Sequence, residues 1–165
     1  MPLAPPLTDI GQLKDRPELA ALLGWNINVV QAVRLDRDEL TITLEQSAIR
    51  EACSILRDDS AASCNLFCDL TCVDWYPSEP RFDIVYHLLS TQRKARVRLK
   101  VRLPNDEPRV ESVVSVYPAA NFYEREVFDL FGVRFEGHPY LRRIMMPEDW
   151  EGHPLRKDYP VEGYR

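Results

Sequence analysis

Four prolines, Pro139, Pro147, Pro154 and Pro160, punctuate the last quarter of this chain at intervals of six to eight residues. Each removes a backbone N–H and fixes φ, so neither a helix nor an interior strand survives that spacing. The same stretch nevertheless carries Tyr140, Leu141, Ile144, Met145, Met146, Trp150, Leu155, Tyr159 and Tyr164. A disordered tail is poor in large apolar side chains, because it never buries them. A segment with no regular hydrogen-bond ladder also cannot build a core of its own. It is therefore expected to lie extended against something else, either its own domain or a partner surface. Arg142, Arg143, Glu148, Asp149, Arg156, Lys157 and Asp158 would supply a polar rim to that contact.

A helix precedes the tail. Phe122 to Phe131 repeats apolar residues at helical spacing over about three turns, and Gly132 is placed to turn left-handed past its end. Asn121 is expected to cap the first turn, with Glu124 reaching back to the cap three residues away. Tyr123, Val127, Leu130 and Phe131 form the apolar face. Arg125, Glu126 and Asp129 form a charged stripe opposite, in which Arg125 can pair with Asp129 one turn on.

Upstream, Pro17 to Leu23 predicts a short helix closed by Gly24. Asn28–Leu35 and Glu39–Leu44 read as strands across the turn Asp36-Arg37-Asp38. Ser47 is expected to cap a helix running to Arg57. Asn65–Trp75 has the two-sided apolar content of a central strand, with Asp69 and Asp74 as exceptions. Phe82–Leu89 and Ala95–Leu103 make a hairpin, and Val110–Tyr117 a short helix stopped by Pro118. This order predicts an α+β fold: a single mixed or antiparallel sheet with helices on one face over residues 1–135, then an extended partner-binding tail over 136–165.

The bulk properties exclude several function classes. A net charge of −5 argues against a general polyanion binder. No window approaches the roughly 18–20 apolar residues that cross a bilayer, and the start of the chain lacks the pattern of a secretory signal, which points to the cytosol or the cytosolic face of a larger body. Arg96, Arg98, Lys100 and Arg102 form a cationic strand face, but no aromatic residue interleaves with them to stack bases. A solvated face, or an edge blunted by charge, is the plainer reading. Cys64, Cys68 and Cys72 recur every four residues without the two-residue gap usual in zinc and iron–sulfur sites, so core packing is favoured over a metal. A metal-dependent or acid–base enzyme would draw on Glu126, Asp129, His138 and His153, yet no two-histidine helical motif or phosphate-cradling glycine loop accompanies them.

Glu124-Arg125-Glu126, then Asp129-Leu130-Phe131, then His138 after six intervening residues, then Arg142, Ile144 and Met145, resemble the signature of the respiratory complex I 30 kDa subunit family, the C-type subunit of bacterial NADH–quinone oxidoreductase (NDH-1). The likeness continues through RRIMMPEDWEGHPLRKDYP and covers Ala119 to Pro160. Upstream it rests on element order and on Leu70-Thr71-Cys72-Val73-Asp74, where Cys72 stands in place of a commoner alanine.

The resemblance implies a subunit of the peripheral arm, on the cytoplasmic side of the inner membrane and held there only through the complex. It implies no flavin, cluster or metal on this chain, with FMN, Fe–S clusters and quinone on partner subunits. It also implies packing against the large quinone-site (49 kDa-type) subunit. By position, Glu124, Arg125, Glu126 and Asp129 would fix the helix and its junction, with Gly132 and His138 as further signature residues. Arg142, Arg143, Pro147, Trp150, Pro154, Leu155, Arg156, Lys157, Asp158 and Tyr159 would form the docking strip. Related modules occur in membrane-bound hydrogenase-type complexes, the alternative assembly.

Overall fold

The computed structural model of the chain describes residues 5–163, so Tyr164 lies outside the described residues. A five-stranded sheet is built from β1 (Val30–Asp36), β2 (Glu39–Leu44), β3 (Leu66–Asp74), β4 (Phe82–Ser90) and β5 (Ala95–Leu103), in the spatial order β1-β2-β5-β4-β3. The β2–β5 pairing is parallel and the other three are antiparallel. Antiparallel neighbours close through tight turns, whereas a parallel pair needs a long crossover. Here the crossover is everything between Leu44 and Ala95.

The strict alternation of β5 decides which way the sheet faces. Val97, Leu99, Val101 and Leu103 are buried beside their β4 partners Leu88, Tyr86, Ile84 and Phe82. The same core takes Leu19 and Leu22 from α2 (Pro17–Asn26), Ile49, Ala52, Cys53 and Leu56 from α3 (Ile49–Asp58), and Val127 and Leu130 from α4 (Ala120–Phe131). Each fully buried leucine or isoleucine contributes about 1.5–3 kcal/mol of transfer free energy. The mixed α+β architecture expected from the order of elements is thus the one observed.

Several local expectations are corrected. A one-turn helix, α1 (Ile10–Leu13), precedes α2 with Asp9 as its cap. Helix α2 runs through Gly24 to Asn26, and a 3₁₀ turn at Ile27–Val29 replaces the first residues assigned to β1. Ser47 lies inside a 3₁₀ turn, and α3 begins at Ile49 without a side-chain cap.

The helix expected over Val110–Tyr117 does not form. Arg109–Glu111 is instead a short strand, β6, pairing in parallel with β7 (Arg134–Glu136). Nor is β5 an edge: it lies between β2 and β4. Its cations face the uncovered side of the sheet, where Arg98 pairs with Glu39 at 2.9 Å and Lys100 with Asp83 at 3.3 Å. Beyond Glu136 the described residues contain turns and bends but no helix or strand.

Candidate docking site

The end of α4 and the tail complete one another. Asp129 is fully buried. Its Oδ2 accepts the successive backbone N–H groups of Ile144, Met145 and Met146 at 2.9, 2.7 and 2.9 Å, and its Oδ1 accepts Arg143 Nη1 at 2.6 Å. Burial alone would push this carboxyl up, but the three N–H groups and the guanidinium outweigh it and hold Asp129 below the usual carboxylate range. The concave backbone of 144–146 is an anion nest filled by the chain's own aspartate.

The last turn of a helix leaves its carbonyls without intrahelical partners, and here the tail supplies most of them. Gly132 N–H closes on Phe128 O. The Asp129 carbonyl meets Arg143 Nη1 at 3.1 Å and His153 Nδ1 at 2.9 Å, Leu130 O accepts Leu155 N–H at 3.0 Å, and Phe131 O accepts Arg156 Nε at 2.6 Å. Gly132 has φ +76, and a Cβ there would sit 2.5 Å from the His153 ring and 2.8 Å from Arg156 Nη2. Only glycine allows both the left-handed turn and this close approach.

A second clasp joins the tail to the sheet. Arg81, 2% exposed, holds Asp74 with Nε and Nη2 at 2.9 and 2.8 Å, and Asp158 with Nη1 and Nη2 at 2.9 and 2.6 Å. Its remaining donor reaches Asn105 Oδ1 at 2.8 Å, so all five guanidinium N–H groups are used. Asp74 also accepts the backbone N–H groups of Tyr76 and Lys157. Burial works against its ionisation, yet these four donors bring its pKa down to about 2. Asp158 is lowered by the same guanidinium.

With the tail's backbone turned inward to these anchors, Leu141 and Met146 pack against the core while five of its large side chains are left exposed. Tyr140 is 55% exposed, Ile144 38%, Met145 58%, Trp150 39% and Leu155 52%. Trp75 and Tyr76 beside the second clasp, and Phe122 at the start of α4, are exposed too. Arg125 donates to the carbonyls of Arg142 and Arg143, both at 3.2 Å, and lies near the Tyr140 ring, over which Arg142 also sits.

The signature residues other than Glu124 fall into four groups. Arg125, Asp129, Gly132, Arg143, Leu155, Arg156, Lys157 and Asp158 form the two anchorages. His138 pins the start of the tail, with Nε2 3.2 Å from Asn121 O and Nδ1 accepting Tyr140 N–H, and burial lowers its pKa. Pro147 O accepts Trp150 N–H, Pro154 lies half-buried between His153 and Leu155, and Tyr159 Oη donates to Glu151 O, so these shape the tail's turns. Glu126 and Arg142 face outward.

Two expectations are corrected by this geometry. Glu124 does not reach back to Asn121, because α4 starts two residues earlier than expected, at Ala120, and has no side-chain cap. It points inward to Ser112 and Val113. Asp129 pairs with Arg143, not with Arg125.

Among the described residues no three histidine, cysteine or acidic side chains are grouped to hold a metal ion, so Glu126, Asp129, His138 and His153 are not brought together as one. Cys53, Cys64 and Cys72 are buried in the core, and burial pushes the Cys64 thiol up to about 12. Arg81 carries no mark in the sequence as a site residue. Its only signal is Asp74, one of two acids on a largely apolar strand.

Comparison with known proteins places this geometry. The pattern of the family described as "Respiratory-chain NADH dehydrogenase, 30 Kd subunit" matches residues 42–165. The chain is 47% identical over 152 residues to the C-type subunit of the NADH-quinone oxidoreductase of Methylobacterium sp. (strain 4-46), covering 92% of this chain and 68% of that protein. To the corresponding protein of Saccharopolyspora erythraea it is 47% identical over 135 residues, 81% of this chain and 54% of the other. The chain thus spans between about half and two thirds of the length of these relatives.

Among solved structures, a chain of the membrane-bound sulfane sulfur reductase, an archaeal respiratory membrane complex, superposes with a TM-score of 0.74 at 30% identity, covering 86% of this chain and 82% of that one. A trypsin-resistant fragment (1-134) of Nqo5 superposes with a TM-score of 0.61 at 27% identity, covering 75% and 99%. No described helix is long and apolar enough to cross a membrane.

Proposed function

The chain belongs to the respiratory-chain NADH dehydrogenase 30 kDa subunit family, and from that premise we propose that it is a non-catalytic structural subunit of the peripheral arm of proton-translocating NADH–quinone oxidoreductase. It docks against the large quinone-site subunit on the cytoplasmic side of the membrane. FMN, Fe–S centres and quinone are bound by partner subunits, and this chain holds none of them. Residues up to about 135 form the domain and the tail from 136 the docking element, although β7 (Arg134–Glu136) carries the domain's last strand across that boundary.

One observation carries the reading. The tail's backbone is fastened to its own domain by Asp129 and by the Asp74–Arg81–Asp158 cluster, while Tyr140, Ile144, Met145, Trp150 and Leu155 are left outside. A contiguous exposed apolar patch with a polar rim marks a protein contact. Holding the backbone in advance lowers the ordering cost of association. The equivalent subunit of a hydrogenase-type complex is the second reading, supported by the likeness to a chain of an archaeal respiratory membrane complex.

The test is substitution in the full-length chain inside its host: Met145→Glu together with Trp150→Glu. Both side chains are outward, so the purified variant should melt as the wild type does. Loss of co-purification with the large subunit, and of NADH–quinone activity in membranes, is the expected result. Full assembly of the double variant overturns the docking strip.

A further inference from the structure

Helix α4 carries two fully buried carboxyl groups five residues apart, and their surroundings are opposite. Asp129 has a guanidinium and three backbone N–H donors. Glu124, 0% exposed, has two neutral donors only: Ser112 Oγ at 2.6 Å on Oε2 and Val113 N–H at 2.7 Å on Oε1. No cation faces it. The titratable groups turned toward it are Cys53 from α3 and Tyr86 from β4, both buried and both of the kind that ionises to an anion. The Tyr86 hydroxyl makes no hydrogen bond to it or to any other described group. A buried charge is tolerated when paired and heavily hydrogen-bonded, and otherwise the group keeps its proton.

We propose that Glu124 is a neutral carboxylic acid in the folded chain and acts as a proton-dependent fastener between α4 and the segment that roots the tail. The segment in question is 112–113. Ser112 N–H also donates to Glu136 O at 2.8 Å, at the end of β7 where the tail begins. The protonated carboxyl donates from Oε2 to Ser112 Oγ and accepts Val113 N–H at Oε1, so both oxygens are matched with no charge left over. Removal of the proton places an unpaired negative charge beside two groups that cannot neutralise it, and the junction of α4 with the β6–β7 pair loosens. Burial accordingly pushes the Glu124 carboxyl up to about 7 despite the two bonds that favour its ionised form.

A carboxyl whose folded-state value is raised contributes stability that is fully present below its unfolded value, near 4.5, and lost as pH rises to the folded one. Between pH 5 and 7 the unfolding constant of the wild type should therefore rise about fortyfold relative to Glu124→Gln. The glutamine keeps the shape and cannot ionise. His87, His138 and His153, all lowered by burial, slope the other way, but they are shared by both proteins and cancel in the ratio.

The experiment is chemical denaturation of both full-length proteins from pH 5 to 8, with carbon-13 NMR titration of the Glu124 carboxyl in the wild type. A ratio that climbs with pH, and a carboxyl that titrates near neutrality, bear the proposal out. Parallel curves, or titration in the ordinary carboxylate range, overturn it. If Glu124→Gln fails to fold, the wild-type titration alone decides in the same two directions. Neither readout involves the docking strip, so its failure and this one are told apart.

Discussion

Arg143 and Asp129 stand 2.6 Å apart across fourteen residues of sequence, and the aspartate of that pair is wholly closed to solvent. The contact fixes the point where an irregular chain becomes part of a folded domain. Removing one partner of such a pair leaves a buried charge without compensation, at a cost of about 3–5 kcal/mol. Asp129→Ala should therefore destabilise the chain by about that amount and free the amides of Ile144, Met145 and Met146 to exchange. Arg143→Ala should cost less, because the three N–H groups still hold the carboxylate. Denaturant unfolding and hydrogen exchange on the two variants check the order.

Acid should undo the second clasp. Asp74 is lowered to about 2 in the folded chain, so its contribution is complete above the ordinary carboxylate value and disappears as pH falls through 4 towards 2. The shift corresponds to about 2 kcal/mol. Stability measured at pH 5 and pH 2.5 should drop by that much more in the wild type than in Asp74→Asn. The variant in turn should be less stable at neutral pH, where Arg81 has lost one of its two ionised partners.

Gly132→Ala should be costly at a position with no side chain to lose. A positive φ costs an L-residue about 1 kcal/mol. The added methyl would also have to displace His153 and Arg156 from the carbonyls they hold. The variant is expected to lose more than about 1 kcal/mol and to be cut by trypsin at Arg142, Arg143, Arg156 or Lys157 faster than the wild type. Equal cleavage rates would show that the helix end does not hold the tail.

Leu155→Ser should separate stability from assembly. The Leu155 backbone N–H supports Leu130 O, but its side chain is 52% exposed. Thermal unfolding should move within the small range of a surface change, about 0.5 kcal/mol, while recovery of the large subunit with the variant should fall.

The parts of this architecture set by local pattern were legible beforehand. The alternation of Val97, Leu99, Val101 and Leu103 with Arg96, Arg98, Lys100 and Arg102 marks a strand and its buried face without reference to anything distant. The proline spacing forbids regular structure in the tail, and none is found among the described residues beyond Glu136.

What the sequence hides is set by partners far along the chain. Arg109–Glu111 becomes a strand only because Arg134–Glu136 pairs with it, so the run from Val110 to Tyr117 looks helical on its own. Asn121 and Glu124 have capping-box spacing, yet the helix begins two residues early and Glu124 serves the core. The i,i+4 rule offers Arg125 to Asp129, but Arg143 reaches a buried carboxylate that Arg125 does not. No local rule weighs one against the other. Arg81 joins the tail to the sheet only through Asp158, 77 residues later, while its other partners are Asp74 and Asn105.

That last grip decides where force would travel. Asp158 and Lys157 hold Arg81 and Asp74, at the β3–β4 turn. A neighbour that tugs on the end of this chain therefore loads the mouth of a hairpin before it loads α4. Strain arriving from the assembly would be taken up by two hydrogen-bonded strands, and the helix end beneath the tail would be the last place to feel it.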